Sequence, residues 1–512
     1  MTPRRTAAGR RNILLIVADQ LRADALGCYG NPITRTPHLD ALAARGARFA
    51  EHFSVTAPCG PARASLLTGV HQSVHRVMDN STVADDRLPT LAIQLAASGV
   101  SSHVVGYTDT VRSGPDSSYE AVPPGFTWHT RFNLNPPGLA SWIEHLNRNG
   151  YSVPDDPMNI LRPVRGTANL AGFPAKLSDT AYIADRTIAC MAGLADEPWL
   201  ILATFLRPHP PWVAPAPYHG MYDPALTAPP LRASTRELEA ARHPFLRSWL
   251  ARRVPDTAPE DLTDEAVAAH RATYAGLVTE LDHQVGRVLA ALCDLGRAED
   301  TLVVFTSDHG DSLGDHWSLG TGGFRETAYR VPLIIAAPEQ SAPVSTTLPT
   351  ESVDIAPTVL EWAGAPALPW SSGRSLLPVM ADDDRRAGRR RTAAVCEFDF
   401  SHIGDDEDSA QADVPASARN LAVLRGSRFT YVHFPEQRPL LFDRLNDPGE
   451  SRDLAAAPEY RCVVSDCARR LLDHRMSCAD PSRPLPSPKP QQTGPPVESG
   501  PPPATTAPGS RS

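Results

Sequence analysis

Short, uninterrupted apolar runs punctuate the chain, and four of them stop abruptly at polar residues. Ile13–Ala18 runs into Asp19 and Gln20. His103–Gly106 runs into Tyr107, Thr108 and Asp109. Leu200–Leu206 runs into Arg207, Pro208 and His209, and Leu302–Thr306 into Ser307, Asp308, His309 and Gly310. Apolar runs of this length without alternation fit strands buried on both faces of a mostly parallel sheet. Ligands bind such sheets beyond the carboxyl ends of the strands, so four polar strand ends point to one shared site. Helical periodicity fills the intervals at Pro37–Ala47, Leu88–Ala97, Ser178–Leu194 and Ala266–Leu295. The alternation predicts an α/β fold, a large central mostly parallel sheet sandwiched by helices, over residues 11–385.

Elsewhere the pattern changes. Gly114–Asn169 is rich in proline, glycine and asparagine and reads as long loops over the site. From about Arg391, the runs AAVCEFDF, NLAVLRG and RFTYVHF are short and separated by turn residues. The segment PLLFDRLNDPGESRDLA reads as a strand, a turn and the approach to a helix that continues over Tyr460–Met476. Residues 386–480 are therefore expected to form a small C-terminal antiparallel sheet plus helix. Residues 1–10 are expected to be flexible. Residues 481–512, mostly Pro, Ser, Gly and Thr, cannot bury a core and are expected to be a disordered tail.

Composition narrows the function. The 512 residues carry a formal net charge of -9, which offers nucleic acid no basic face. No apolar run is long enough to span a bilayer, and Ile13–Ala18 is too short for a signal-peptide core, so a cytoplasmic location is expected. The eight cysteines are scattered with no C-x-x-C pair, which suits reduced thiols. Cys462 and Cys467 could share a helical face and are expected to be surface thiols.

The strongest chemical signal is Cys59-Gly60-Pro61-Ala62-Arg63, followed by Ala64–Gly69, ASLLTG. Proline two positions after Cys59 fits the first turn of a helix. Cys59 would then stand at a helix N-terminus, which favours anions, with Arg63 one turn along on the same side. A C-x-P-x-R motif followed by LLTG resembles the type I sulfatase family of the alkaline phosphatase superfamily. The resemblance runs from about Arg11 to about Met476. It implies that a maturation enzyme oxidises Cys59 to formylglycine (3-oxoalanine). One hydroxyl of its hydrate attacks sulfur or phosphorus, and the other later expels the bound group.

The resemblance also implies a divalent metal ion held by Asp19, Asp308, His309 and residue 59. Carboxylates suit Ca²⁺, Mg²⁺ or Mn²⁺, and the imidazole favours Mn²⁺. Gln20 is expected to support that shell. Asp315 and His316 look ligand-like but are expected in a solvated loop.

Within the family, RPHPPWVAPAPYHGMY (Arg207–Tyr222), RATYAGLVTELDHQVGRVL (Arg271–Leu289) and TSDHGDSLGD (Thr306–Asp315) resemble the phosphonate monoester hydrolases and related phosphodiesterases. Where classical sulfatases carry Lys and His, this chain has Tyr107 and Asp109. Where a second active-site Lys follows D-H-G, it has Thr321. Fewer cations disfavour a phosphate monoester dianion and leave singly charged small-molecule esters as substrates. Asp109 is a candidate base for collapse of the diol and His209 a candidate acid for the leaving oxygen. Asn80, Tyr107, Gln20, Thr321 and His219 are the candidate substrate-side positions. The expected activity is hydrolysis of phosphonate monoesters or phosphodiesters. The rivals are a sulfate-ester hydrolase and a non-catalytic anion-binding relative. The resembled enzymes also imply a homo-oligomer.

Overall fold

The computed structural model describes residues 11–85, 88–110, 121–134, 136–167, 169–194, 197–252, 262–340, 342–381, 391–401, 415 and 418–479. The flexible N-terminus and the Pro-rich tail expected above lie outside them. The main sheet contains β1 (Asn12–Asp19), β2 (Ala47–Phe49), β4 (Ser101–Gly106), β5 (Thr127–Arg131), β6 (Trp199–Pro208), β7 (Thr301–Ser307), β8 (Leu333–Ala336) and β9 (Val344–Thr346). A two-stranded ladder joins β3 (His52–Phe53) to β10 (Thr350–Glu351).

The order across the main sheet is β5-β4-β6-β1-β7-β8-β2-β9. Strands β5, β4, β6, β1 and β7 are parallel neighbours, and β8 runs antiparallel to β7 and β2. The first run, β1, is buried along its whole length because it is central and covered on both sides. Leu14, Ile16 and Ala18 join one core with Phe205 and Phe305. Ile13, Leu15 and Val17 join the opposite core with Leu202 and Val304. This pleat explains the unalternating pattern: both faces of every residue pair are dry. Each of these larger side chains contributes about 1.5–3 kcal/mol by leaving water.

Four covering helices match the sequence periodicity to within a few residues: Pro37–Arg45, Leu91–Ala97, Asp179–Gly193 and Asp264–Asp294. Their starts are set locally. Thr90 caps the second through Ala92 N, Ser178 the third through Ala181 N, and Thr263 the last through Ala266 N. No helix among the described residues is long and apolar enough to cross a membrane.

The reading of Gly114–Asn169 as loops is corrected. Within it lie β5, on the edge of the main sheet, and the helix Pro136–Arg148. The register shift between β4 and β5 and the half-exposed side chains of β5 hide the strand from periodicity.

The C-terminal sheet consists of β11 (Ala393–Asp399), β12 (Asn420–Gly426), β13 (Phe429–His433) and β14 (Leu440–Asp443), in that antiparallel order. Its Cys396, Phe398, Val423 and Phe442 pack towards Phe53, Phe245 and Phe324. Its other face, with Val395, Leu424 and Tyr431, receives Cys467 and Leu471 of the last helix, Arg461–Cys478. Cys467 is thus buried, not the surface thiol expected, because it faces the sheet, whereas Cys462 is exposed.

Candidate active site

The four polar strand ends belong to β4, β6, β1 and β7, which are consecutive in the sheet. In the β1–β7 ladder Ala18 lies opposite Ser307, so Asp19 and Asp308 emerge side by side. Four contacts lock this junction. Asp308 N donates to Ala18 O at 3.2 Å, and Gln20 N donates to Asp308 Oδ1 at 3.1 Å. The Ser307 hydroxyl accepts from Leu21 N at 2.9 Å and lies 3.0 Å from Ala18 O.

Cys59 opens the helix Cys59–Thr68 and is 5% exposed. Asn80 Oδ1 accepts the Gly60 N–H at 2.8 Å, satisfying one of the helix's free donors. A Cβ at residue 60 would lie 3.0 Å from Asp109 O and 3.1 Å from Asn80 Oδ1, so glycine lets both segments close on the helix start. Cys59 Sγ lies 3.1 Å from His309 Nε2 and 3.7 Å from Asp19 Oδ1. His309 Nε2 in turn lies 3.8 Å from Asp19 Oδ1 and 3.9 Å from Asp308 Oδ1. All four residues are buried, and their ligand-type atoms lie within 4.8 Å of one another.

Arg63 lies beside this cluster. Its guanidinium reaches Asp308 Oδ2 at 2.8 Å and Asp19 Oδ2 at 3.3 Å, and approaches Asp109 Oδ2 at 3.9 Å. It stacks on the Tyr107 ring with Cζ 4.3 Å from the centroid. Tyr107 donates its hydroxyl to Asp19 Oδ2 at 2.5 Å.

Burial pushes the Asp19 carboxyl up, but His209, Arg63, His309 and the Tyr107 hydroxyl together outweigh it, so Asp19 lies below its ordinary 3.8. The Cys59 thiol goes the other way. Burial first, then the Asp19, Asp308 and Asp109 carboxylates, hold it well above 9.0. A thiol kept neutral in this way is a poor nucleophile.

The donor set fits a divalent cation. Among the described residues, Asp19, Asp308 and Asp109 face Arg63 as the one arginine of the cluster, which leaves negative charge for a cation to balance. Gly310 O lies 3.0 Å from His309 Nδ1, which assigns the ring proton to Nδ1 and leaves the Nε2 lone pair facing the cluster. The second oxygens of Asp19 and Asp308 are held by Arg63, leaving Oδ1 of each towards His309.

The sulfatase family model matches residues 11–365. The chain belongs to the sulfatase family. A second model, described as the C-terminal part of N-sulphoglucosamine sulphohydrolase, matches residues 323–477. The multifunctional alkaline phosphatase superfamily protein PehA of Trinickia caryophylli is 35% identical, covering 92% of this chain and 96% of its own. The phosphonate monoester hydrolase of Agrobacterium radiobacter superposes with a TM-score of 0.84 at 36% identity, covering 92% of this chain and 96% of that one. Phosphonate monoester hydrolase SpPMH from Silicibacter pomeroyi does so with a TM-score of 0.84 at 37% identity, covering 91% and 95%. The α/β architecture read from the apolar runs is therefore the sulfatase fold, and the chain is an ester hydrolase.

The remaining positions singled out in the sequence of this sulfatase-family chain fall into two groups. His209 lies close enough to Asp19 to draw its carboxyl down, and its Nδ1 lies 2.5 Å from Pro210 O. Asp109 is held at φ +49° with a quarter of its side chain exposed, next to Arg63. Asn80 is exposed, and with Oδ1 committed to Gly60 its amide Nδ2 is the group left to donate. Gln20 does not reach the cluster with its side chain, which donates to Asp311 Oδ2.

His219 and Thr321 stand apart. His219 sits in the loop packed on the long helix, where its carbonyl accepts from Asn169 Nδ2 at 2.8 Å. Thr321 follows Gly320, which is tied to Asp311, and its hydroxyl is buried without a hydrogen-bond partner. The expectation of a solvated loop at Asp315 and His316 is corrected. Both are buried. Asp315 pairs with Arg271 at 2.7 Å and Arg22 at 3.0 Å, and His316 Nδ1 lies 3.1 Å from Glu239.

Two supporting residues were given no role in the sequence reading. Asp311 is fully buried and takes the Gln20 amide, Leu313 N at 2.7 Å and Gly320 N at 3.2 Å, binding the D-H-G turn to β1. Arg207 pairs with Asp179 at 2.9 Å and donates to His209 O at 3.1 Å and Pro211 O at 2.7 Å, which fixes the His209 loop. Both stand inside quoted motifs, TSDHGDSLGD and RPHPPW; Arg207 directly follows an apolar run, whereas nothing local sets Asp311 apart.

Proposed function

We propose that this chain is a metal- and formylglycine-dependent hydrolase of phosphonate monoesters and phosphodiesters. The observation that carries this reading is Cys59, buried at a helix start and facing Asp19, Asp308 and His309. Its oxidised, hydrated form would present a hydroxyl to the same donors. Similarity to two phosphonate monoester hydrolases over nearly the whole chain supports the substrate class.

Each residue then has a task. Asp19, Asp308 and His309 hold the cation, with Mn²⁺ the preferred ion for a mixed carboxylate and imidazole set. When bound, the cation supplies charge to lower the pKa of the attacking hydroxyl and to neutralise the transferred group. Arg63 keeps the two carboxylates paired and oriented. Asn80 Nδ2 donates to a substrate oxygen. His209 hands a proton to the leaving oxygen, and Asp109 takes one when the diol collapses.

The substrate charge follows from the cations. Lys176 and Lys489 are the only lysines in the chain, so Tyr107, Asp109 and Thr321 have no lysine nearby in sequence to replace them. A site with Arg63 already committed to two carboxylates suits a singly charged ester. A sulfate ester meets that condition too, and the 28% identical choline-sulfatase of Rhizobium meliloti, covering 88% of this chain, keeps this second reading open.

The test is peptide mass spectrometry across Cys59 on active protein, with parallel turnover of aryl phosphonate monoester, aryl phosphodiester and aryl sulfate. An aldehyde or its hydrate at residue 59, with the phosphorus esters preferred, is the expected result. An unmodified thiol in active protein overturns the mechanism. A preference for aryl sulfate overturns the substrate assignment.

A further inference from the structure

A second cluster of metal-ligating side chains lies away from the catalytic centre, at the junction between the main sheet's helices and the last helix. His474 and Cys478 stand one turn apart on the helix Arg461–Cys478. His71 comes from the chain just after the Cys59 helix, immediately before the short helix Gln72–His75. Ligand-type atoms of the three residues lie within 4.8 Å of one another.

Two details point to a missing ligand. His71 is 1% exposed, yet its Nδ1 is buried without a hydrogen-bond partner. A ring nitrogen in that state is costly to bury unless something binds there. The second detail is spacing. Cys478 Sγ lies 3.5 Å from His474 Nε2. Tetrahedral zinc with bonds of about 2.3 Å to sulfur and about 2.0–2.1 Å to nitrogen sets a sulfur–nitrogen edge of about 3.6 Å.

The surroundings agree. The His71 and His474 rings meet edge to face, 4.5 Å between centroids at 78°. Glu351 Oε2 lies 3.4 Å from His71 Nε2. That carboxylate is fixed in place by Arg391 at 2.9 Å and by the Val395 N–H at 2.8 Å. A metal-bound imidazole commonly gives its other nitrogen to a carboxylate, and Glu351 is positioned for that.

We propose that His71, His474 and Cys478 form a second, structural metal site that takes Zn²⁺. The donor set of one thiolate and two imidazoles is softer than the carboxylate-rich catalytic cluster and favours zinc over Mn²⁺ or Ca²⁺. The fourth position is open to water, since His474 and Cys478 are only half-buried. The bound ion would pin the last helix to the segment leaving the Cys59 helix, across about 400 residues of chain. The same helix buries Cys467 and Leu471 against the small sheet, so the ion joins both parts of the molecule.

The test uses the full chain carrying Cys59→Ala, which removes the thiol of the catalytic cluster. Metal-free protein is titrated with Co²⁺ and then Zn²⁺. The expected result is a thiolate-to-cobalt charge-transfer band with tetrahedral ligand-field absorption, whose amplitude corresponds to one thiolate-bound Co²⁺ per chain beside any Co²⁺ taken by Asp19, Asp308 and His309, and which Zn²⁺ erases. Adding Cys478→Ser abolishes the band. Cys478→His abolishes the band but keeps zinc binding and the zinc-dependent rise in Tm, which separates lost ligation from lost folding. No band in the Cys59→Ala protein, or a band that survives Cys478→Ser, overturns the proposal.

Discussion

Replacing Tyr107 with phenylalanine isolates one hydrogen bond in the catalytic cluster. The two oxygens of Asp19 are used differently: Oδ1 faces Cys59 and His309, while Oδ2 takes the Tyr107 hydroxyl at 2.5 Å and Arg63 at 3.3 Å. Phenylalanine keeps the ring on which Arg63 rests, 4.3 Å from its centroid, and removes only the hydroxyl. A hydrogen bond to a charged carboxylate contributes about 1.5–3 kcal/mol, or about 10- to 150-fold in an equilibrium constant. Loss of a residue that orients a metal ligand costs about 10–100-fold in metal affinity. Tyr107→Phe should therefore weaken Mn²⁺ binding by one to two orders of magnitude, measured by calorimetric titration of chelator-treated protein. Turnover at limiting metal should fall and recover when metal is in excess. If Mn²⁺ affinity is unchanged while KM for the ester rises, Tyr107 serves the substrate instead, and the assignment of its hydroxyl to orienting Asp19 is wrong.

Other consequences follow from the same geometry. Asp109→Ala should trap a covalent adduct at residue 59, detected by mass spectrometry after acid quench; turnover equal to the parent removes Asp109 from the mechanism. Arg207→Met strands the buried Asp179 carboxylate and should cost about 3–5 kcal/mol in urea unfolding, whereas a loss near zero shows the pair to be dispensable. Burial, then the neighbouring Asp179 carboxylate, raises Glu280 from 4.5 to about 8. Its contribution is complete below about pH 4.5 and declines as pH rises towards 8, on the order of 5 kcal/mol in all. Glu280→Gln, neutral throughout, should flatten the fall in unfolding free energy between about pH 5 and pH 8. Parallel pH profiles for parent and variant contradict the burial argument.

The legible parts of this molecule share a physical cause. Strands β1, β6 and β7 are covered on both faces, so their burial is written as continuous apolar residues, and their polar ends stand out by contrast. Because the ladder is parallel, those ends also had to converge. What escaped depends on distant partners. Asp315 reads as a solvated turn until Arg22, 293 residues earlier, is placed against it. Strand β5 is an edge strand with no fully buried residue, so its TWHTR sequence has no period to read. Cys467 was misplaced because burial of one helix face depends on β12 and β13 lying beneath it. Likewise, nothing local marks His71 as a neighbour of Cys478.

The central position of β1 also has a consequence in time. Asn12 must wait 187 residues for Trp199, and Ala18 must wait 289 for Ser307. At about 5–20 residues per second, synthesis leaves β1 without its first neighbour for about 10–40 s and without its second for about 15–60 s. Throughout that interval an unpaired apolar strand is exposed to aggregation, and a chaperone has most to do there. The delay also serves the proposed chemistry. Cys59 is 5% exposed once folded, so the period in which a modifying enzyme can reach it is set by how late β6 and β7 arrive.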